Sequence, residues 1–497
     1  MRMTDTQILA ALRTNDIDLT RYGLGLTSFI RIREELGLLR TRKQSHTVET
    51  VRPIMLYLRP QFPKAGAREV ISLLFHEWDM SVSRAIMREY FSKYEAELIL
   101  MRRAGRLKRK QFWAAGCNDI WAMDQHDKWK YLFGLALHIG LDPFTGRIVW
   151  LKVWWTNSNP RLILSYYLDA VKLEGAMPMV TQSDPGVENF GIANGHTLLR
   201  HYHDPALAGT LQHRWMNRKK NVKPEAAWSQ LRRRWTPGFE DILDRGVNAG
   251  LFDNESLLHV LVFRYVFIPW LQLELDKYSD RINNEKKRAD RNKILPHGPP
   301  NHIQQFPGEY GVLDFKITVN PAHVEHVRSL YAPRNHQVFE LVPPEFEEFA
   351  SGFYAQMGRP VITRENVWTI YSGILNHFEF VLEHNQLPPQ MSSWDYALTM
   401  ARDEYSDDNI DLLPNLRPLP IAEGENAYRG GVNGGHGLDS EQSAELDQLM
   451  DDDFPLPEGM QDFEDLGPTA VEFSSDEEQQ PDEEEQEVLE LLTNNLE

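Results

Sequence analysis

Between residues 116 and 156 three β-rich runs follow one another: NDIWAMDQHD, YLFGLALHIGLD and RIVWLKVWWT, separated by turn-forming stretches such as DPFTG. Short links between successive strands predict an antiparallel meander. A helical stretch comes next, NPRLILSYYLDAVKLEG, then a short buried strand, MPMVTQSD, ending at the turn DPG. Helix NGHTLLRHYH, strand GTLQHRW and helix VKPEAAWSQLRRRW complete the series. The order β-β-β-α-β-α-β-α leaves few folds open. Strands reached through helices pair in parallel and need helices over the sheet faces. The order is that of an RNase H-like domain: a mixed five-stranded sheet with helices on both faces.

The rest of the chain divides around that region. Residues 1–110 read as helices, TDTQILAALRTN and GLTSFIRIREELGLL, then GAREVISLLFHEW and MSVSRAIMREYFSKYEAEL, with Ser81 or Ser83 as the cap of the last. The second helix of each pair is basic (Arg31 and Arg33, Arg84 and Arg88), so the pairs read either as tandem helix-turn-helix units that bind DNA or as a plain helical bundle. Residues 111–240 form the α/β core, and 241–300 extend it with helices. Its most apolar run, LLHVLVFRYVFIPWLQL, is broken by Arg264 and reads as a buried helix, not a membrane span. Residues 301–420 mix helix with Pro/Gly breaks, and from 421 the chain becomes linker and then a disordered acidic tail.

The net charge of −19 hides an asymmetry. Residues 436–497 carry 22 acids and no lysine or arginine, which leaves 53 basic and 50 acidic groups in the remainder. Within 101–295 there are 30 basic against 20 acidic residues, including the run RRAGRLKRK at 102–110. A basic middle with an acidic tail implies a polyanion partner. The tail reads either as a nucleic-acid mimic over the basic groove or as a solvating tail that binds a protein partner. A single cysteine, Cys117, excludes internal disulfides and cysteine-rich zinc sites, and points to an intracellular, reducing compartment.

Three acids stand where this topology has chemical use for them. Asp124 ends the first strand, Asp184 the fourth, and Glu225 lies in the first turn of the helix that follows. Taken singly, each has an ordinary reading as turn or helix-start acid. Their order and spacing argue otherwise, with 59 residues between the aspartates and 40 between Asp184 and Glu225. The first and fourth strands are central neighbours in such a sheet, so the acids converge. Crowded carboxylates repel unless cations neutralise them. Two divalent ions about 4 Å apart suit in-line phosphoryl displacement. Asp127 lies past the strand, and Asp142 reads as a structural turn acid.

Together the segments DIWAMDQHDKW, GLDPFTGRIVWLKVWWTNSNPRLI, VTQSDPGVEN and KKNVKPEAAWSQLRR resemble the integrase core of the Asp-Asp-Glu transposase and retroviral integrase superfamily. The nearest resemblance is to the transposon-like integrase-core proteins of fungi, over roughly residues 60–300. The last segment is similar to the family pattern N-x-R-I-E-x-x-W, with Asn221, Glu225 and Trp228 in register and Lys223 and Pro224 in place of Arg and Ile. The resemblance implies cleavage and strand transfer of DNA by Asp124, Asp184 and Glu225, using two Mg²⁺ (or Mn²⁺) ions; the alternatives are a domesticated, non-catalytic DNA-binding protein derived from such an element, or an RNase H-like nuclease. It also implies upstream helix-turn-helix elements, at least a dimer, and a nuclear location. Arg214, Arg218, Lys219, Lys220, Lys223, Arg232 and Arg233, with Arg234, flank Glu225 as candidate phosphate contacts. Asn189 is a supporting candidate in a loop that reads as solvent-facing, with Glu188 as an auxiliary acid. His126 and His213 read as satisfied polar groups.

Overall fold

The computed structural model describes residues 5–95, 112–216, 221–286, 295–384, 410–419 and 431–432. The sheet expected from the strand order is present. Its strands are β1 (Ile120–His126), β2 (Ala136–Asp142), β3 (Arg147–Trp154), β4 (Val180–Ser183) and β5 (His213–Trp215). They lie in the order β3-β2-β1-β4-β5. β1, β2 and β3 form the antiparallel meander, while β4 pairs parallel to β1, and β5 parallel to β4. One local difference concerns the start of the second run. Residues Lys130–Phe133 make a helical turn, closed by Gly134 at a φ of 62°, before β2 begins.

Strand alternation divides the core in two. Ala122, Leu137, Ile139, Leu141, Leu151 and Val153 face a large apolar cluster with Trp228 and Leu231 of helix Val222–Arg234 and with helix Leu257–Asn284. Trp121, Met123 and Trp150 point the other way, against helices Pro160–Glu174 and Phe190–His203. Trp150 lies across Gly140, where an added Cβ would come within 2.3 Å of the indole ring. Asp142 is structural, as its turn position suggested. It accepts from the backbone N–H groups of Asn118 (2.9 Å), Phe144 (2.8 Å) and Thr145 (3.2 Å). Burial pushes its carboxyl up to about 6 against the pull of those amides.

β3 is an edge strand, and exposed edges invite wrong pairing. Helix Leu257–Asn284 covers it with two side-chain amides that imitate a neighbouring strand. Asn283 accepts from Ile148 N and donates to Ile148 O, both at 2.8 Å. Gln272 accepts from Val153 N (3.1 Å) and donates to Leu151 O (3.0 Å). The eleven-residue separation in the helix and the five-residue separation in the strand each span about 16 Å, so the two amides stay in step. By length and composition this helix could cross a membrane. Here it is packed inside the protein, with Arg281 paired to Glu69 at 3.2 Å and only 2% exposed.

The N-terminal residues form helices Asp5–Asn15, Leu26–Glu35, Thr41–Gln44, Val48–Leu58, Ala67–Trp78 and Arg84–Tyr94. Ser83 caps the last by accepting from Ile86 N (3.3 Å). Arg31, Arg84 and Arg88 are exposed, whereas Arg33 pairs with Asp5 at 2.5 Å. The apolar side chains of 48–91 join the same cluster that covers the sheet. Helices Pro344–Gln356 and Val367–Glu383 join it too, and helix Pro321–Tyr331 packs on the opposite layer. The basic run at 102–110, the basic end of RINNEKKRADRNK and the acidic tail lie outside the described residues.

Two outcomes follow for stability. Asn283→Leu leaves an edge N–H and C=O buried without partners, at about 1–3 kcal/mol each. Urea unfolding should show a loss of that order, absent in Lys277→Ala on the same helix. The second concerns acid. His138, His196 and His213 are buried, and burial pushes each down to about 3. Unfolded histidines titrate near 6.5, so between about pH 6.5 and 3 the unfolded chain binds more protons. Their stabilisation is complete above that range and is lost as pH falls through it. Asp142, with a raised value, acts in the opposite sense below about pH 6. The urea midpoint should fall from pH 7 to pH 5, and a flat profile would contradict neutral burial of the histidines.

Candidate active site

β1 and β4 run parallel, so their C-terminal ends share one edge of the sheet. The register pairs Ala122 with Gln182. Carried on by two residues, the same offset sets Asp124 abreast of Asp184. Asp184 directly follows β4, as expected. Asp124 does not end β1, because pairing with β2 continues through His126. It shares a sheet face with Ala122, beneath the helix that carries Glu225.

That helix, Val222–Arg234, is fastened to both strands through its first residue and its middle. Asn221, fully buried, donates from Nδ2 to Met123 O (2.8 Å) on β1 and accepts at Oδ1 from Gln182 Nε2 (3.2 Å) on β4. Trp228 donates from Nε1 to Asp124 Oδ2 (3.1 Å). Its indole stacks on His126, with ring centroids 5.2 Å apart and planes 22° apart. The Asn, Glu and Trp of the motif thus fall four and three residues apart for a mechanical reason. The first ties the helix start to the strands, the second enters the acidic site, and the third returns one turn later to hold the first aspartate. Gln182, which was not singled out from the sequence, completes this arrangement. It could have been noticed only as the strand residue two places before Asp184.

Asp124 feels both other acids. Burial pushes the Asp124 carboxyl well above the usual range, and the charges of Asp184 and Glu225 push it further, against the pull of Gln125 N–H and Trp228 Nε1. Burial also raises Asp184, whose Oδ1 is buried without a hydrogen-bond partner. The turn bearing Asp184 is held through its own carbonyl, which accepts from Ser183 Oγ (2.9 Å) and Asn189 Nδ2 (3.2 Å). Asn189 is therefore buried, not solvent-facing as its loop suggested, and it also donates to Glu188 Oε1 (2.8 Å). Asp127 accepts from Asn157 Nδ2 (2.6 Å). His213 is clamped between Thr181 Oγ1 (2.9 Å) and Ser183 Oγ (3.1 Å), and burial with the nearby Arg232 charge pushes His126 down to about 4. Both histidines are structural, in keeping with the sequence reading.

The basic candidates do not form one exposed face. Lys223 is 1% exposed and Arg232 6%, so these two candidate phosphate contacts are buried. Arg234 is buried and lies 3.9 Å from Glu69. Arg214 and Arg233 remain half-buried, and Arg218, Lys219 and Lys220 lie outside the described residues. The helix is short of solvent on the sides that pack against the sheet and the N-terminal region, so three of its four basic residues, Lys223, Arg232 and Arg234, are buried.

Residues 112–297 match the family model of the integrase core domain. No curated protein matches the chain. The matched region has the RNase H-like fold, a mixed five-stranded sheet with helices on both faces, and is similar to the integrase/transposase-like polynucleotidyl transferases. Such cores generally use divalent metal ions and bind DNA. Among the described residues no group of three or more His, Cys, Asp or Glu side chains is placed so that it could hold a metal ion. The donors nevertheless fit a hard cation. They are carboxylates, one buried oxygen of Asp184 lacks a protein partner, and Asp124 is destabilised as an anion by its acidic neighbours. Mg²⁺ is commonly held by one or two carboxylates, with water and substrate phosphate completing the shell.

Trp228→Phe keeps an aromatic ring beside His126, removes the N–H to Asp124 and leaves part of the buried indole volume empty. We expect divalent-metal affinity to fall about 10–100-fold, as for other groups that orient ligands. Mn²⁺-dependent thermal shift measures it, and an unchanged Mn²⁺ response would show that the Asp124 bond has no part in metal binding.

Proposed function

We propose that the protein is a DNA integrase/transposase-like polynucleotidyl transferase that cleaves phosphodiesters and transfers strands, with Asp124, Asp184 and Glu225 as its catalytic acids. The feature that supports this most directly is the placement of Asp124 and Asp184 on adjacent parallel strands, with the charges of Asp184 and of Glu225 on the neighbouring helix both felt at Asp124. They lie inside the region that matches the integrase core. Asp124 and Asp184 would hold the divalent ions, Mg²⁺ or Mn²⁺, and Glu225 would complete the second of two positions. When bound, such ions neutralise charge on the phosphodiester and ease deprotonation of the attacking hydroxyl.

The chain's own residues prepare the site. Trp228 fixes Oδ2 of Asp124. Asn221 keeps the Glu225 helix in register with both strands, and Asn189 holds the turn that presents Asp184. Arg214 and Arg233 contact the DNA backbone, joined by Arg218, Lys219 and Lys220 just before the Glu225 helix in sequence. Lys223 and Arg232, being buried, contribute positive potential more than direct contact. The exposed Arg84 and Arg88 suit a DNA-reading helix. Joining two DNA ends calls for a dimer or larger assembly, and the substrate places the protein in the nucleus. The same features fit an origin in a transposon of the fungal kind.

The reading is tested by metal-dependent nicking and strand transfer on duplex oligonucleotides. Asp184→Asn should lower both by roughly 10³-fold or more. Equal activity in this variant would end the catalytic assignment, and activity confined to RNA–DNA hybrids would replace DNA transfer with a ribonuclease reaction. Removal of 436–497 should leave the affinity for DNA and its salt dependence unchanged if the acidic tail serves protein partners. A gain in both would mark it as a cover for the basic groove.

A further inference from the structure

Asn194, Thr197 and His201 of helix Phe190–His203 are spaced by three and four residues and so share one face. Each serves the main chain of another segment. Thr197 Oγ1 accepts from Gln212 N (2.9 Å), and His201 donates from Nε2 to Thr210 O (2.9 Å), which lays the stretch leading into β5 along the helix. Asn194, fully buried, serves a segment more than 200 residues away. Its Nδ2 donates to Asp411 O (2.8 Å), and its Oδ1 accepts from Leu413 N (2.9 Å). One side-chain amide thus satisfies the main-chain groups on either side of Leu412, as a residue of a parallel strand would.

The segment then turns at Pro414 and Asn415, the latter at a φ of 60°, a left-handed value that asparagine tolerates better than most residues. Beyond the turn, Arg417 N donates to Gly209 O and Arg417 O accepts from Leu211 N, both at 2.9 Å, a parallel bridge to Thr210. The side chains contribute less. Ile410 is buried and Leu412, Leu413 and Leu416 are half-buried, while Asp411, Pro414, Asn415 and Arg417 are exposed. None of them belongs to the apolar clusters that support the sheet. Main-chain bonds to an edge, with a few shallow apolar anchors, are how folded domains hold an extended peptide. Residues 209–211 lead into the start of β5, at the end of the sheet opposite the acids, so this contact is separate from the acidic site.

We infer that Asn194 and the 209–211 edge form a peptide-binding site, and that its ligand is the extended segment Ile-Asp-Leu-Leu-Pro-Asn-Leu-Arg, residues 410–417 of the same chain. The site clasps the chain that follows helix Val367–Glu383 onto the core. A tethered ligand meets its site at high effective concentration, so modest contacts suffice, and a free copy competes poorly until the tethered one is disabled. The inference stands apart from the transferase reading, because it draws on none of the three acids.

The experiment uses the full chain and a fluorescent synthetic peptide of residues 407–420, with binding read by anisotropy. The double variant Ile410→Asp, Leu413→Pro removes the buried anchor and the N–H that Asn194 accepts, and leaves the site itself unchanged. This variant should bind the peptide about tenfold or more tighter than the wild type, whose site is filled. The same peptide carrying Leu413→Pro should not bind, and neither should the wild-type peptide once Asn194→Leu is added to the double variant. Melting curves show whether each chain folds, and the altered peptide tests the contact on a protein that Asn194→Leu has not touched. Failure of the double variant to bind overturns the site, as does equal binding of the two peptides or of the double variant and the wild type. A double variant that no longer unfolds cooperatively makes the segment part of the core and overturns its reading as a ligand. A wild-type oligomer that dissociates in the double variant on size-exclusion chromatography seats the segment in a second copy, against the assignment within one chain.

Discussion

Asn221 makes two hydrogen bonds, one to a main-chain carbonyl of β1 and one from a side chain of β4, and it does so at the first turn of the helix that carries Glu225. Strands and helix are brought into register by this one amide, and with them the three acids. Because Asn221 is fully buried, either bond left unmade would cost about 1–3 kcal/mol. The helix start is therefore not free to slide along the sheet. Trp228 repeats the constraint one turn further on, so the helix is fixed at two points on the side that faces Asp124.

Around this anchor the molecule manages charge in two opposite ways. On the acidic side, Asp124 is pressed toward its neutral form by burial and by Asp184 and Glu225, which makes the site receptive to a cation. On the basic side, the arginines at the end of the same helix are partly turned inward. One of them, Arg234, is drawn toward Glu69 of an N-terminal helix that also receives Arg281. The N-terminal helices are thus more than an appendage. Their apolar faces belong to the cluster that supports the sheet.

The strand order and the structural role of Asp142 could be read from the chain, whereas Asp124, expected at the end of β1, lies inside it. What could be read rests on local signals: alternating apolar runs, turn residues, a helix start at Val222. The exposure of the basic residues could not. Lys223 and Arg232 look like phosphate contacts in a list of charges, yet helix packing decides that they are buried. Asn189 shows the same limit, since a loop residue becomes buried when its amide is needed to hold the turn before it. The short helical turn before β2 was hidden within an apolar run that fits either conformation.

What the sequence by itself determined is periodicity and order. The apolar alternation of β1 to β3 and the crossover helices permit little other than a mixed sheet, and the spacing of Asp124, Asp184 and Glu225 then follows. What only the tertiary structure decided is which side chains meet across long separations. Gln272 and Asn283 cap the edge of β3, and Gln182 reaches Asn221. These meetings depend on the crossing angles and separations of packed helices, which are set by side-chain volumes summed over the whole interface. No single stretch of sequence carries that sum.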